Sequence, residues 1–194
     1  METIVLKDRV TGNMSDDEFL QFCIENRDLR IERNNKLEII IMTPVTTLSS
    51  YSSGATFAAL ANWTKLDGRG FAFDSSTGFT LPDRSVFSPD AAWLSKKKWN
   101  ALSDDDKDRF APVCPEFVIE VRSKSDNIED LKKKMFTWLK NGAQEAWLLD
   151  PIKGISFIYR PSKDVIEING FDSPLAGEGP VQGFVLHLSQ LKME

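Results

Sequence analysis

The strongest constraint on the fold comes from residues 116–122, an apolar segment that carries Glu120 and Arg122 near its end. Side chains alternate between the two faces of a β-strand, so Glu120 and Arg122 share a face with Val118. A carboxylate inside an apolar strand is costly unless it is paired or bound to a metal ion. Asp90 is a second such carboxylate, because it begins another apolar run. The fold must therefore bring polar partners to both residues.

Periodicity along the rest of the chain predicts an α+β fold with an α/β-type core. Ser15 and Glu18 form a capping box that predicts a helix over residues 16–26. Asn34-Asn35 predicts the turn of a hairpin, because Asn tolerates positive φ. The other predicted elements are an Ala-rich helix at 51–66, strands at 71–73, 78–81, 86–94, 116–122, 146–150, 155–159, 165–168 and 183–188, and short helices at 96–101 and after Ser103. This order predicts a mixed β-sheet flanked by helices.

A further helix carries a lysine beside its apolar stripe. Asp126 and Glu129 form a second capping box, and Gly142 is suited to the left-handed cap that ends the helix after about Asn141. Apolar residues recur along this helix at the spacing of one buried face. Lys132 and Lys134 flank that face on opposite sides.

Composition excludes several kinds of functional site. The chain of 194 residues has one His and two Cys, too few for a structural zinc site with about four such ligands. Its 24 Lys and Arg against 29 Asp and Glu give a formal net charge of −5, which excludes a globally basic nucleic-acid-binding surface. Any polyanion must meet local patches. One candidate patch is residues 96–98, and the other comprises Arg122, Lys124 and residues 132–134, although such runs are also typical of solvated surface.

The length is that of one domain, and we expect a single domain over residues 1–194 with residues 1–12 as an N-terminal extension. The start of the chain lacks the basic and apolar regions of a signal peptide, and no stretch approaches the roughly 18 apolar residues of a membrane span. We therefore expect no membrane association. Two unpatterned cysteines are typical of a reduced compartment, so we expect a cytoplasmic protein.

Asp90, Glu120 and Arg122 can converge if their strands are neighbours. Carboxylate oxygens are the ligands that Mg²⁺ or Mn²⁺ prefers, usually one or two together with several waters. Such an ion stabilises charge on a phosphoryl oxygen, and a nearby cation adds to that effect. Alternatively, Glu120 and Arg122 form an ion pair at the surface of a sheet, which is common and weak. Spacing alone leaves both interpretations open.

Several motifs, taken in order, resemble those of a known family. Pro89-Asp90, followed thirty residues later by Glu120-Val121-Arg122, resembles the PD-(D/E)XK nuclease motif. More narrowly, the chain resembles the Uma-type family of restriction endonucleases over residues 12–192. The matching segments are residues 88–94, 115–126, 134–138, 141–142 and 147–151, with Glu32 matching an N-terminal Glu and Gly183-Phe184 a C-terminal glycine-aromatic strand.

The resemblance implies a restriction-endonuclease-like fold and a divalent-metal phosphodiesterase. Carried over by position, Asp90 and Glu120 would be the ligands of Mg²⁺ or Mn²⁺, and Glu32 would be a further acidic residue of the site. The superfamily usually places a cation two residues after the second acid, where this chain has Arg122. Lys134 matches a helical Lys of the family and is the other candidate. Because Arg is a fixed charge that cannot act as a general base, Arg122 would stabilise charge while the metal activates water.

Two functions are consistent with these residues. The first is an endonuclease that hydrolyses DNA as a homodimer, since duplex cleavage needs two cuts and cyclic pairs are the commonest oligomers. The second is a non-catalytic module that keeps the fold and binds nucleic acid or a protein partner. The acidic balance and the arginine at position 122 favour the second function. Clustering of Glu32, Asp90, Glu120 and Lys134 would favour the first.

Overall fold

The structure is a computed structural model that describes residues 4–6 and 14–192. Thirteen strands and five α-helices lie within these residues. The helices are α1 (Asp16–Glu25), α2 (Thr47–Asp67), α3 (Lys96–Ala101), α4 (Asp104–Lys107) and α5 (Ile128–Lys140). The strands are β1 (Ile4–Leu6), β2 (Arg30–Arg33), β3 (Ile39–Met42), β4 (Gly70–Asp74), β5 (Phe79–Thr80), β6 (Val86–Phe87), β7 (Ala91–Ser95), β8 (Phe117–Val121), β9 (Glu145–Asp150), β10 (Ile155–Tyr159), β11 (Ile166–Asn169), β12 (Leu175–Ala176) and β13 (Val185–Leu186).

Capping side chains fix where the first two helices begin. The Ser15 hydroxyl accepts from the amide of Glu18, whose carboxylate accepts from the amide of Ser15, so the predicted capping box of α1 is confirmed. Helix α2 starts earlier than the predicted 51–66, because the side chain of Thr46 caps it. Gly68, at φ +70°, ends α2 in the left-handed conformation that glycine adopts without strain.

Two local predictions are wrong in their details. Helix α5 is capped by Asn127, whose side chain accepts from the amide of Glu129, and not by Asp126. The carboxylate of Asp126 instead accepts from the backbone three residues earlier. The predicted hairpin turn at Asn34-Asn35 is confirmed, since β2 and β3 pair antiparallel around it, but the positive φ falls on Leu37, while the side chain of Asn34 accepts from the amides of Lys36 and Glu38.

A six-stranded mixed sheet forms the centre of the molecule, in the order β11-β10-β9-β8-β7-β4. Strands β8 and β9 are parallel, and the other neighbours are antiparallel. This arrangement confirms the predicted α+β class, with a mixed sheet flanked by helices. Strand β8, which contains Glu120, lies between β7 and β9 and is buried along its whole length.

A five-stranded antiparallel sheet, in the order β1-β3-β2-β6-β5, adjoins the first. The predicted strand at 86–94 is split into β6, which belongs to this sheet, and β7, which belongs to the six-stranded sheet. Pro89 lies between them, and its lack of an N–H explains why the ladder is interrupted. The chain therefore crosses from one sheet to the other immediately before Asp90.

Helices cover both faces of the six-stranded sheet. One face packs against α2 and the C-terminal segment, through Phe117, Ile119, Leu60 and Phe184 among others. The other face packs against α5, through Val118, Leu148, Met135 and Trp138. Helix α1 packs on the five-stranded sheet through Phe19 and Ile39. Because side chains alternate along β8, Glu120 shares the Val118 face and is directed towards α5.

The N-terminal extension predicted at 1–12 is described only at Ile4–Leu6, where β1 pairs with β3 at the edge of the five-stranded sheet. The other residues of that extension lie outside the described part of the chain. Within residues 4–6 and 14–192, no helix combines the length and the apolar character needed to cross a membrane.

Candidate active site

An open cleft of about 350 Å³ lies beside the N-terminal half of α2 and the ends of β2, β7 and β8, and we call it the main cleft. Asp90, Glu120 and Lys134 line it together with serines of α2, including Ser49 and Ser53. Asp90 immediately precedes β7, and Glu120 and Lys134 lie on β8 and α5, so tertiary packing brings the three residues together.

Asp90 stands opposite Glu120 across two neighbouring strands. Strands β7 and β8 are antiparallel with Ala91 opposite Ile119, so the next residue in each direction continues the register. Oδ2 of Asp90 accepts a hydrogen bond of 2.7 Å from the amide of Val121, which takes the place of a ladder bond beyond Pro89. The predicted convergence of the two carboxylates is therefore seen in the structure.

Lys134 joins Glu120 to the second sheet. Its Nζ lies 2.9 Å from Oε1 of Glu120 and 2.9 Å from Oε1 of Glu32, which is on β2. Both carboxylates are about 95% buried, and the lysine side chain is 15% exposed. The amide of Ser88 also donates to Oε1 of Glu32, at 2.8 Å, and the indole Nε1 of Trp138 donates to Oε1 of Glu120, at 3.1 Å.

Burial dominates the acid–base behaviour of the two facing carboxyl groups. Burial raises the pKa of Glu120 from its ordinary 4.5 to about 7, with Asp90 and Glu32 adding to the rise while Lys134 opposes it. Burial also raises the pKa of Asp90, although the amide of Val121 lowers it in part. Because burial is the main cause of both rises, a cation close to the two carboxyl groups would favour their charged forms.

Lys134 is fixed in its charged form. Burial alone would lower its pKa, but the neighbouring Glu120 and Glu32 carboxylates raise the pKa above the ordinary value of 10.5. A lysine of this kind keeps its proton throughout the physiological range, so it supplies positive charge and cannot serve as a general base.

The carboxylates suit a hard divalent cation. Oε1 of Glu120 accepts from both Lys134 and Trp138, whereas Oε2 receives no hydrogen bond from the described residues. Asp90 similarly uses Oδ2 for the Val121 amide. Two carboxylates facing an open cleft fit Mg²⁺ or Mn²⁺, which takes one or two such ligands and retains waters. No group of three or more Asp, Glu, His or Cys in the described residues is arranged to hold a metal ion.

Arg122 does not join this cluster, which corrects the expectation that it converges with Glu120. It follows the last residue of β8, and its guanidinium Nη1 donates to Oδ2 of Asp150 at 2.7 Å. Asp150 is about 99% buried and ends the parallel neighbour β9. The alternation rule fails here because the strand ends at Val121, and the buried carboxylate of Asp150 determines where the guanidinium lies.

Several members of the two predicted basic patches make local contacts. In the first, Nζ of Lys98 donates to the carbonyl of Cys114. In the second, Lys132 and Lys133 pair with acidic residues one turn earlier on α5, and only Lys134 points into the main cleft.

Sequence reasoning missed two contributors to the site. Trp138 has the spacing of a core residue, and it is one, but its indole N–H also orients Glu120. Arg30 lies on β2 two residues before Glu32, and it lines the main cleft with Asp90. Alternation along β2 could have indicated Arg30, because the period of two places it on the same face as Glu32.

The fold defines the class of protein first. The chain is similar to a protein from Anabaena variabilis ATCC 29413 whose crystal structure is described as "a putative nuclease belonging to DUF820". The two share 19% sequence identity with a TM-score of 0.71, over 92% of this chain and 97% of the other. At this identity the likeness shows a common fold, and it is a restriction-endonuclease-like α+β fold.

Family membership follows from the sequence itself. The family model "Uma2: Putative restriction endonuclease" matches residues 16–189. This chain belongs to the Uma2 family, which confirms the resemblance inferred from the motifs, and its class is that of a nuclease. Comparison with curated proteins gave no match.

Proposed function

We propose that this protein is a divalent-metal-dependent endonuclease that hydrolyses phosphodiester bonds of DNA. Membership of the Uma2 family supports this proposal. The observation that carries it is that Asp90 and Glu120 stand opposite each other on neighbouring strands and line one open cleft, where burial raises the pKa of both carboxyl groups and a bound cation would favour their charged forms.

Asp90 and Glu120 would hold Mg²⁺ or Mn²⁺, with Glu120 offering Oε2, which receives no hydrogen bond from the described residues. When bound, such an ion supplies positive charge to a phosphoryl oxygen and lowers the pKa of water. Trp138 and Lys134 fix the orientation of the Glu120 carboxylate through Oε1. Glu32 shares Lys134 with Glu120, and it therefore keeps the ammonium group at the edge of the cleft.

Lys134 takes the electrostatic role that the motif order assigned to Arg122. It stays protonated, so it offsets negative charge near Glu120 without transferring a proton. Arg122 is held by Asp150 outside the cluster, and we assign it a structural role.

The test is a cleavage assay on supercoiled, linear duplex and single-stranded DNA with Mg²⁺, Mn²⁺ or EDTA. Asp90→Asn and Glu120→Gln should each abolish metal-dependent cleavage. Glu129→Gln, which removes an exposed carboxylate from α5, serves as the matched control and should cleave as the wild type does. Undiminished cleavage by both site variants would exclude the assignment.

A non-catalytic nucleic-acid-binding or protein-binding module is the second candidate. The observations that favour it are the net charge of −5 and the position of Arg122, which pairs with Asp150 and so leaves the second acid without the cation that the motif places two residues later. Calorimetry with Mn²⁺ separates the two functions. No heat of binding, together with intact DNA after long incubation, would favour the module.

Two further parts of the proposal concern assembly and location. We propose a homodimer, because cutting both strands of a duplex needs two sites. Sedimentation velocity should show a dimer at micromolar concentration, and a monomer at every concentration would contradict it. We also propose a cytoplasmic location, which cell fractionation with a tagged chain tests directly.

A further inference from the structure

The cleft needs a cation that is available to a substrate phosphate. Lys134 is engaged by two carboxylates, and Arg122 is engaged by Asp150. Among the residues that line the main cleft, Arg30 is the remaining basic side chain. No ion pair joins Arg30 to a carboxylate of the described residues, and its hydrogen bond is a long contact of 3.4 Å from Nη2 to the carbonyl of Ser75. Of these three basic residues, Arg30 therefore has the weakest contacts with other described residues.

The position of Arg30 is determined by strand β2. Arg30 begins this strand, and Glu32 follows on the same face, so one face of β2 supplies both a partner for Lys134 and a cation for the cleft. Arg30 is only partly buried, whereas Glu32 is 3% exposed. Its charge also acts on Asp90, where it opposes the effect of burial on the pKa of that carboxyl group. A phosphate bound by Arg30 would therefore lie close to the two carboxylates.

Space for a chain of nucleotides continues past Arg30. A second cleft of about 320 Å³ adjoins the main cleft, and Arg30, Met42, Ser75 and Ser88 line both. The second cleft adds Arg27, an exposed residue just after α1. A backbone that leaves the carboxylates can thus pass Arg30 and meet a second arginine. Planar guanidinium groups bind phosphate oxygens in pairs, which suits a polyanion of regular spacing.

We infer that Arg30 binds a backbone phosphate of the DNA strand that occupies the main cleft, and that this strand continues into the second cleft beside Arg27. The inference rests on the proposed function for the identity of the substrate. A chain of net negative charge would then hold DNA through guanidinium groups beside the carboxylates, and it would not need a broad basic surface.

The test measures binding in EDTA, where the proposed cleavage cannot occur. Fluorescence anisotropy with a labelled oligonucleotide, single-stranded in one arm and duplex in the other, gives Kd at several salt concentrations. Arg30→Gln should raise Kd about tenfold and reduce the slope of log K against log salt by about 0.7 to 0.9, the loss of one phosphate contact. Whichever arm shows the larger loss identifies the preferred form of DNA.

Arg69→Gln is the matched control, since it also removes one arginine charge. Arg69 is half exposed and pairs with Asp67. It lies beyond the far end of α2, about 20 Å from Ser53 measured along the helix axis. It should bind DNA as the wild type does. An Arg30→Gln variant with the wild-type Kd and slope would overturn the inference, and so would an equal loss in both variants or an absence of DNA binding by the wild type.

A second measurement uses the wild-type chain and does not depend on a variant that folds. DNA should protect Arg30 from an arginine-selective reagent, as read by mass spectrometry, while Arg69 stays reactive. Equal reactivity of Arg30 with and without DNA would overturn the inference. Binding through Arg30 without any cleavage would contradict the proposed endonuclease alone, whereas cleavage with an unchanged KM in Arg30→Gln would contradict the inference alone.

Discussion

Lys134 Nζ lies 2.9 Å from Oε1 of Glu120, so α5 and β8 are joined by an ion pair at the floor of the main cleft. The indole of Trp138 contacts the same oxygen, and this leaves Oε2 without a donor from the described residues. One carboxylate can therefore serve the lysine through one oxygen and a metal ion through the other. This division of the two oxygens leads to separate predictions for the carboxylate, the lysine and the pH dependence of both.

Glu120→Gln should remove metal-dependent cleavage and leave the fold intact. Glutamine keeps the shape of the side chain but loses the negative charge that a divalent ion requires. We expect cleavage to fall at least 100-fold, on the scale of losing one electrostatic group of an active site. Initial cleavage rates and thermal unfolding measure the two effects. A variant that retains more than a tenth of the wild-type rate would contradict the role given to Glu120.

Stability without metal should depend on pH through Glu120. Its folded-state pKa of about 7 lies above the ordinary 4.5, so the folded state holds the proton more strongly. The stabilisation that the bound proton gives to the folded state is fully present below pH 4.5 and is lost as the pH rises through 7. Urea unfolding in EDTA should show the wild type losing free energy of unfolding relative to Glu120→Gln between pH 5 and 7, by up to about 1.4 kcal/mol per pH unit. Parallel curves for the two proteins would exclude this assignment.

Metal affinity should follow the same titration. Binding of Mn²⁺ displaces the Glu120 proton, so affinity should rise by up to about tenfold per pH unit below pH 7 and level off above it. Calorimetry from pH 5.5 to 8 measures this directly, without reference to cleavage. A Glu129→Gln control should reproduce the wild-type profile, because its carboxylate is exposed on the outer side of α5.

Lys134→Met should destabilise the protein strongly. The change leaves Glu32 and Glu120 buried without their shared cation, which costs about 3–5 kcal/mol for a broken buried pair. Lys133→Met, one residue earlier, removes an exposed pair and should leave the free energy of unfolding close to that of the wild type. The difference in free energy of unfolding between the two variants should be smaller at pH 5, where Glu120 is protonated and does not require a charged partner. A difference that does not change with pH would contradict the electrostatic coupling between Lys134 and Glu120.

Arg122→Gln should affect stability and spare cleavage. The variant leaves the carboxylate of Asp150 with the backbone amides of Ile152 and Lys153 as its donors, and we expect a loss of about 3 kcal/mol. Cleavage per folded molecule, measured well below the unfolding temperature, should stay within about threefold of the wild type. A selective loss of rate would return Arg122 to the site.

The sequence indicated the carboxylates well because each one violates a local rule. Asp90 and Glu120 stand at strand positions where apolar residues belong, and only a tertiary partner compensates for that. Periodicity also placed Glu120 on the face that meets α5. The fold class followed from the same alternation, since β8 and α5 have clear periods.

The features that could not be predicted from the sequence depend on the residues at which strands and helices begin and end. Arg122 has the same parity as Glu120, yet the strand ends at Val121 and the guanidinium turns to Asp150. Asp126 and Asn127 are both good capping residues, and the backbone ahead of the helix decided between them. Alternation places Arg30 on the same face of β2 as Glu32, but a charged residue at the start of a strand is ordinary, and its importance shows only once the neighbouring cleft is known.

Pro89 has a consequence for how this protein tolerates change. The chain passes from one sheet to the other at this residue, and the amide of Ser88 on its near side holds Glu32 while Asp90 follows on its far side. A small rotation of one sheet against the other therefore moves Asp90 relative to Glu32 before it exposes any core. Mildly destabilising substitutions in the hydrophobic core beneath either sheet should for that reason disturb the alignment of the carboxylates before they unfold the protein. Activity should therefore be lost at smaller destabilisation than the folded structure.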